Sequence, residues 1–284
     1  MLRKPSKEEI EVYMDFLYGL ATDITKSSYP TFCDGIKTKE DFLRFAYESF
    51  DNPNDTILLF EKDGEVLGSV HYYYIKEDNY LSTFSFQSKS DMDIFFEELL
   101  KHLSEKYKGT DFYIGFSNLN TVLTKVLKKK KFKLIDNTFH TIFDMKEIKT
   151  TNPSPLVSRI SRENFQKFEQ LHQNIIGEMY WNSERILDDF DNWAIFIYEK
   201  ENVVLGAIYY MIFDDMVEIF GIDYLNSQFD NEVFKELVIK VIYEVEIEKK
   251  QYINYFVEKE EYAEAMNLGF KGLGKYLCFL KKIK

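Results

Sequence analysis

Two segments of the chain, 138 positions apart, have nearly the same sequence. Residues 61–72 read EKDGEVLGSVHY and residues 199–210 read EKENVVLGAIYY, and six of these twelve positions are identical. The same offset matches Phe132 to Phe270 without an insertion. A repeat of this length far exceeds the roughly 20–50 residues of solenoid and propeller repeats, and it is the size of a whole domain. The sequence therefore predicts two copies of one fold.

The length and composition fit two ordinary folded domains. A chain of 284 residues with 45% hydrophobic residues is long enough for about two packed domains. No segment approaches roughly 18 uninterrupted apolar residues, so no membrane partner is expected. The polar residues 1–9 lack the apolar stretch of a signal peptide. Cys33 and Cys278 lie in no recognisable motif, which is typical of a reducing compartment. We therefore expect a cytoplasmic protein.

The net charge of −12 restricts the partners. A strongly negative surface repels the phosphates of nucleic acids, so no nucleic-acid partner is expected. The same charge favours a small cationic molecule such as an amine, or it serves only to keep the protein soluble. The four histidines are scattered along the chain without the spacing of metal ligands, so no metal site is predicted.

The first half begins with a helix signal. Ser6 and Glu9 have the spacing of a capping box, and apolar residues follow at helical intervals. Asp63-Gly64 predicts a hairpin turn, and Ser90 is predicted to cap a long amphipathic helix. The remaining segments predict a helix at 38–46, strands at 56–60, 66–75 and 80–86, the long helix to 107, a strand at 112–114, a helix at 120–130 and closing strands at 132–145.

The second half repeats this order. Ser161 is predicted to cap a helix that continues through Ile175, and Asp230 is predicted to cap a second long helix. The other segments predict strands at 157–160, 193–198, 203–213 and 216–222, a helix at 183–190, a strand at 252–257, a helix at 260–267 and closing strands at 270–280. The Pro153-Ser154-Pro155 segment is the predicted linker. The predicted domains are therefore 1–148 and 156–284, joined by a linker at 149–155.

This order of elements predicts an α/β fold in which each half has a mixed, mostly antiparallel sheet with helices on both faces. The repeated Val-Leu-Gly segment on the third strand and Leu268-Gly269-Phe270 before the last strands resemble the Gcn5-related N-acetyltransferase family. The resemblance covers almost the whole chain as two tandem acyl-CoA N-acyltransferase-like domains. It implies transfer of an acyl group from acetyl-CoA to the amine of a small acceptor.

The resemblance also implies where acetyl-CoA would bind. In the family, a glycine-containing loop before the long helix holds the diphosphate on backbone N–H groups. The corresponding stretches here, 87–93 and 226–232, contain no glycine, so acids at the helix start are also explained as helix caps. The second copy is the favoured site, and its candidate cofactor-binding residues are Ile222, Asp223, Asn226, Ser227, Gln228 and Asn231.

Candidate catalytic residues lie in the second copy. Glu218 is similar to the strand carboxylate that some family members use to take the proton of the amine, and its counterpart 138 residues earlier is Tyr80. Tyr255 and Tyr262 are candidates to protonate the leaving thiolate. Ordinary packing or solvent exposure remains an alternative explanation for each of these side chains.

Three functions therefore remain open. The first is an N-acetyltransferase with its working site in the second copy. The second is a catalytically silent module that uses the same fold to bind a ligand or another protein. The third is an enzyme that uses a different acyl donor. The oligomeric state is left open.

Overall fold

The computed structural model describes residues 1–28, 38–148, 152–172 and 180–284. The described residues form two compact units. Unit 1 comprises Met1–Asn137 and Gly274–Lys284, and unit 2 comprises Thr138–Leu273. Cys33, Ile175 and residues 149–151 of the predicted linker lie outside the described residues.

Unit 1 is built from helices and strands that are numbered here along the whole chain. Its helices are α1 (Lys7–Ala21), α2 (Lys39–Asp51), α3 (Met92–Lys106) and α4 (Thr121–Lys129). Its strands are β1 (Leu2–Arg3), β2 (Asp55–Lys62), β3 (Glu65–Ile75), β4 (Tyr80–Ser88), β5 (Asp111–Ser117) and, from Gly274 onward, β12 (Lys271–Lys282).

Unit 2 has the same kinds of element. Its helices are α5 (Gln166–His172), α6 (Ser183–Asp188), α7 (Asn231–Ile247) and α8 (Tyr262–Asn267). Its strands are, from Thr138 onward, β6 (Lys133–Asp144), then β7 (Val157–Arg159), β8 (Trp193–Lys200), β9 (Val203–Ile212), β10 (Met216–Tyr224) and β11 (Tyr252–Val257). No helix among the described residues is long and apolar enough to cross a membrane.

The strand order confirms a mixed, mostly antiparallel sheet in each unit. In unit 1 the order is β1-β2-β3-β4-β5-β12, and in unit 2 it is β6-β11-β10-β9-β8-β7. The β4–β5 pair and the β10–β11 pair are parallel, whereas the neighbouring pairs are antiparallel. Each unit therefore contains one parallel pair near the middle of its sheet.

The closing strands do not follow the sequence halves. The predicted boundaries place residues 132–145 in the first domain and residues 270–280 in the second. Instead, β6 pairs with β11 in unit 2, from Phe139 opposite Val257 to Asp144 opposite Tyr252. The last strand, β12, pairs with β5 in unit 1. Alternating apolar residues identify a strand, but they do not identify the edge that the strand joins, so the sequence gives no signal for this exchange.

Local signals explain most element boundaries. Ser6 forms the predicted capping box with Glu9, and Asp63 and Gly64 form a two-residue turn with φ of 53° and 81°, which requires the left-handed region. Asp230 caps α7 as predicted, its side chain accepting from the Val233 N–H. The prediction for Ser90 is wrong, because the N-cap of α3 is Asp91, which has a left-handed backbone and makes no capping side-chain bond.

The repeated Val-Leu-Gly segment has a packing reason in both units. A Cβ atom on Gly68 would lie 2.2 Å from the backbone oxygen of Gln87 on β4. A Cβ atom on Gly206 would lie 2.4 Å from a methyl group of Val233 at the start of α7. Both glycines therefore let the third strand approach its neighbours more closely than any side chain permits.

Helices cover both faces of each sheet, as predicted. In unit 1, Ile57 and Leu59 of β2 pack in a core with α1 and α2, while Phe60 stacks on Phe95 of α3 from the opposite face. In unit 2, one core contains the apolar side of α7, and a second contains residues of α5 and α6. Successive strand residues alternate between the two cores, as the pleat requires.

The strand exchange predicts where two nearby substitutions act. Phe279 of β12 is buried and stacks on Phe116 of β5, whereas Phe270 is buried against Phe143 and Tyr255 in unit 2. Either change to alanine should cost about 3–5 kcal/mol. We expect F279A to lower hydrogen-exchange protection first in β5, and F270A to lower it first in β11. Loss of protection in β11 alone for both variants would contradict the exchange.

Candidate functional site

A cleft opens in unit 2 where two parallel strands diverge. The β10–β11 ladder runs from Met216 opposite Tyr252 to Ile219 opposite Tyr255 and then stops. Beyond that point β10 continues to Tyr224 beside β9 only. A β-bulge between Ile219 and Gly221 in β10 accompanies the divergence, because an extra residue increases the local twist and bend of a strand.

The diverging edge of β10 carries unpaired backbone groups. Among the described residues, Gly221–Tyr224 pair with β9, and no residue pairs with them from the opposite edge. Backbone N–H and C=O groups that leave water need a partner. Within the described part of the chain, these groups therefore have no backbone partner on the side that faces the cleft.

The cleft has a volume of about 320 Å³. Its walls come from the end of β10, the segment before α7, the turn before α8 and one residue of α5. The lining residues are Leu171, Ile222, Asp223, Tyr224, Ser227, Phe229, Glu258, Glu260 and Glu261. Four of them are carboxylates, and none is a lysine or an arginine.

Glu261 is the most buried polar side chain that lines the cleft, with only 5% of its surface exposed. Tyr224 donates its hydroxyl to Oε1 at 2.7 Å, and Tyr255 donates its hydroxyl to Oε2 at 2.8 Å. The Glu258 N–H adds a longer contact of 3.4 Å to Oε2. Each carboxylate oxygen thus has a hydrogen-bond donor, which is the condition for burying such a group.

The environment of Glu261 shifts the pKa values of all three side chains. Burial raises the pKa of Glu261, although the hydrogen bonds from Tyr224 and Tyr255 oppose the shift. Burial and the adjacent charge of Glu261 raise the pKa of Tyr224 and hold that of Tyr255 well above its usual value. Glu261 is therefore a stronger base than an exposed glutamate, while both tyrosines keep their protons.

A histidine–aspartate pair forms another part of the wall. His172 Nδ1 lies 2.8 Å from Asp223 Oδ2, and its Nε2 lies 3.0 Å from the backbone oxygen of Trp181. Both partners are hydrogen-bond acceptors, so each ring nitrogen of His172 faces an acceptor.

The predicted cofactor-binding residues separate into two groups. Ile222, Asp223 and Ser227 line the cleft. The other three are exposed, lie around the start of α7 and are not part of the lining: Asn226, Gln228 and Asn231. At that helix start, Asp230 Oδ1 already accepts from the Val233 N–H at 3.1 Å. A diphosphate would therefore meet a carboxylate there.

The predicted catalytic residues lie around the cleft but do not line it. Glu218 is half-buried and lies on the sheet face opposite Val217 and Ile219, which pack in the core with α7. Tyr255 is buried and reaches the cleft through its bond to Glu261. Tyr262 begins α8 and stacks on Phe139 at 4.2 Å between ring centroids.

Sheet register corrects one sequence comparison. The parallel ladders begin at Tyr80 in β4 and at Met216 in β10. Glu218 is the third residue of its ladder and is therefore equivalent to Ser82, the third residue of the ladder in unit 1, and not to Tyr80. The fixed offset of 138 positions fails here because the connection before β4 is longer than the connection before β10.

Three side chains of the site were not found from sequence, namely His172, Tyr224 and Glu261. Their burial depends on contacts between distant segments, and no local pattern marks it. One signal was available for Glu261, because it directly precedes the helix that follows the diverging strand. Among the described residues, no group of three or more His, Cys, Asp or Glu side chains could hold a metal ion.

The corresponding edge in unit 1 is occupied. The β4–β5 ladder stops at Ser82 opposite Tyr113, and residues 26–28 pair with the free edge of β4 through an isolated bridge between Ser27 and Gln87. The two units thus share the divergence, but among residues 152–172 and 180–284 no segment of unit 2 corresponds to the one that pairs here.

The fold with its central divergence is that of the GCN5-related N-acetyltransferases, present here in two copies. The GCN5-related N-acetyltransferase from Sphaerobacter thermophilus aligns over 100% of this chain and 96% of its own, with a TM-score of 0.71 and 11% identity. A tandem GNAT protein from the clavulanic acid biosynthesis pathway aligns over 100% of this chain and 98% of its own, with a TM-score of 0.56 and 9% identity.

A third similar structure belongs to a larger protein. The glucosamine N-acetyltransferase region of a fungal multi-domain GH3 β-N-acetylglucosaminidase aligns over 99% of this chain and 38% of that chain, with a TM-score of 0.62 and 10% identity. No protein-family model matches the sequence, and no curated protein does. At these identities, the likeness shows the fold.

The raised pKa of Glu261 predicts a pH-dependent stability difference. An acid whose pKa is higher in the folded state stabilises the fold below its unfolded pKa, and this stability is lost as pH rises through the folded pKa. The E261Q variant cannot ionise at this position. We therefore expect its unfolding free energy, relative to the unaltered protein, to increase between about pH 4.5 and neutral pH.

Chemical denaturation at several pH values measures this difference. Glu246, which is exposed on α7 and does not line the cleft, provides the control, and the difference for E246Q should vary much less with pH. A flat difference for E261Q would contradict the burial of an ionisable carboxyl group at this position.

Proposed function

We propose that unit 2 transfers an acyl group from acetyl-CoA to the amine of a small cationic acceptor. The observation that carries this proposal is an edge of β10 that no described residue pairs with, beside the buried carboxylate of Glu261. A strand edge can hold an extended donor, and a buried carboxylate can take a proton. The fold shared with acetyltransferases supports the same reaction class.

In unit 1 a segment of the chain itself binds to the equivalent strand edge, and this arrangement is the basis for placing the donor. Its residues 26–28 form an extended chain that bonds to the Phe86 oxygen and the Ser88 N–H of β4. In β10, the residues equivalent to Phe86 and Ser88 are Ile222 and Tyr224, which lie at the same distance after the β-bulge. The pantetheine arm of acetyl-CoA carries two amides and can pair with these groups in the same way. The exposed residues Asn226, Gln228 and Asn231 are proposed to contact the nucleotide end.

The charge of the cleft supports a cationic acceptor. Carboxylates lower the local potential in a confined cleft and attract ammonium groups. Glu258 and Glu260 are exposed at the cleft, and Asp223 also lines it. A protonated primary amine could therefore bind near Glu261. One neighbour of the same fold is named for its action on glucosamine, which is an amine of this kind.

The proposed reaction is direct attack of the amine on the thioester. The amine nitrogen forms a bond to the carbonyl carbon, and the bond from that carbon to sulfur breaks. Glu261 first accepts one proton from the bound ammonium group, so that the neutral nitrogen has a lone pair for the attack, and the second proton that this nitrogen loses passes to the leaving thiolate. Tyr224 and Tyr255 hold the carboxylate in place. Glu218 remains an alternative proton acceptor, and Tyr255 and Tyr262 remain candidates to protonate the thiolate.

The silent ligand-binding module is the second candidate. It is favoured by the start of α7, where Asp230 caps the helix and Glu232 follows in the first turn. These acids disfavour a diphosphate at the place where a helix N-terminus would otherwise attract it.

Steady-state kinetics with acetyl-CoA and a panel of primary amines, including glucosamine and a polyamine, tests the reaction. We expect E261Q to lower kcat/KM by about 10²–10⁴-fold, the usual contribution of a positioned general base, and E218Q to lower it far less. The reverse ranking would assign the proton transfer to Glu218. Binding of acetyl-CoA without turnover of any amine would support the silent module.

Removing the negative charge of Asp230 at the start of α7 is expected to strengthen the binding of acetyl-CoA selectively. D230N keeps an oxygen for the Val233 N–H but removes the negative charge. We expect it to bind acetyl-CoA about fivefold more tightly, because two unit charges about 4 Å apart in water interact by about 1 kcal/mol. Binding of S-acetylpantetheine, which lacks the diphosphate, should not change. An equal change for both compounds in calorimetry would contradict a diphosphate near α7.

A further inference from the structure

We infer that unit 1 binds no acyl donor, because its own chain fills the cleft whose counterpart in unit 2 has no such segment among the described residues, so that each chain takes up one donor molecule. The segment that fills it, residues 26–28, is called the strap below. The identity of the donor rests on the proposed function, whereas the closure of unit 1 rests on its own hydrogen bonds.

The strap occupies the edge of β4 that faces the divergence. β3 pairs with β4 along the other edge as far as Ser88. The Ser28 N–H donates to the Phe86 oxygen at 2.7 Å, and the Ser88 N–H donates to the Lys26 oxygen at 3.2 Å. These bonds use the backbone groups that the departure of β5 leaves without a strand partner.

The other side of the divergence holds the strap through Asn120, the N-cap of α4. Its Oδ1 accepts from the Leu123 N–H at 3.0 Å and fixes the start of the helix. Its Nδ2 donates to the Ser27 oxygen at 3.0 Å. The strap is thus bound from both diverging strands, by the backbone of β4 and by a side chain that follows β5.

Burial shows that the strap is part of the packed interior. Ser27 and Ser28 are each 1% exposed, and Asn120 and Gln87 are fully buried. A ligand could enter only by displacing the strap and leaving these polar groups to find new partners, at a cost of about 1–3 kcal/mol for each unsatisfied group.

A local turn, formed by hydrogen bonds to Asp23, holds the strap in its conformation. The Lys26 and Ser27 N–H groups both donate to the Asp23 backbone oxygen, at 2.8 and 3.1 Å. The Asp23 side chain accepts from the Thr25 N–H at 3.0 Å. Because the turn is preorganised, the strap loses little conformational entropy on binding the cleft.

The same helix-cap position differs between the units. In unit 1 it is Asn120, which donates to a carbonyl oxygen of the strap. In unit 2 the residue at this position is Glu261, whose ionised carboxylate can accept hydrogen bonds but cannot donate them. Unit 1 has therefore kept a group that suits its internal occupant, and unit 2 has a group that suits proton transfer.

Calorimetric titration of the full chain with acetyl-CoA tests the stoichiometry. We expect one equivalent, lost when S227W fills the cleft of unit 2 and retained when S90W adds the same bulk before α3 of unit 1. Two equivalents, or one equivalent that survives S227W and not S90W, would overturn the inference.

Hydrogen exchange tests the closure without any ligand. We expect the Ser28 and Ser88 amides to exchange at least about 100-fold more slowly than free amides. N120D keeps the cap oxygen but faces the Ser27 carbonyl with a carboxylate, so exchange at both amides should rise at least about tenfold. N182D makes the same change at the N-cap of α6, where Asn182 accepts from the Arg185 N–H, and should leave them unchanged.

The two measurements separate the two proposals. Fast exchange of the Ser28 and Ser88 amides in the unaltered protein would overturn the closure of unit 1, whatever binds to unit 2. Slow exchange together with no heat of acetyl-CoA binding would support the closure and contradict the proposed donor.

Discussion

The constraint on which the rest of the structure depends is the divergence of two parallel strands in the middle of each sheet. In unit 2 the ladder ends at Ile219 opposite Tyr255, and in unit 1 it ends at Ser82 opposite Tyr113. Beyond these points each strand has one edge without a strand partner. Such backbone groups must be paired or hydrated, so the divergence creates a place where an extended polar segment or ligand can bind. The cleft, its lining and its chemistry follow from this gap in the ladder.

The two units fill the gap differently. Unit 1 uses its own strap and a neutral amide, Asn120, to pair with the edge of β4. In unit 2 no segment of the described part of the chain pairs with this edge, and Glu261 lies at the equivalent helix cap, where Tyr224 and Tyr255 hold the carboxylate. A duplicated fold can thus divide its work, one copy providing stable structure and the other an accessible site. The carboxylates of that site favour a cationic acceptor. The acids at the start of α7 disfavour a tightly bound diphosphate.

Much of the fold could be predicted from the sequence, because its signals are local. Ser6 and Asp230 cap helices, Asp63 and Gly64 form the turn, and the repeated Val-Leu-Gly segment lies on the third strand of both units. The exchange of β6 and β12 had no such signal, since alternation reveals a strand but not its partner. The site was predicted only in part. Ile222, Asp223 and Ser227 line the cleft, but the burial of Glu261 requires tyrosines from two strands to meet, and a single sequence does not show that.

The most direct measurement of this account is amide hydrogen exchange at the open strand edge during donor binding. We expect saturating S-acetylpantetheine to slow exchange in residues 220–224, where the Tyr224 N–H has no strand partner opposite β9 among the described residues. We expect no change in residues 86–88, where the strap already holds the edge. Slower exchange at residues 86–88 with none at 220–224 would contradict the claim that unit 2 carries the working cleft.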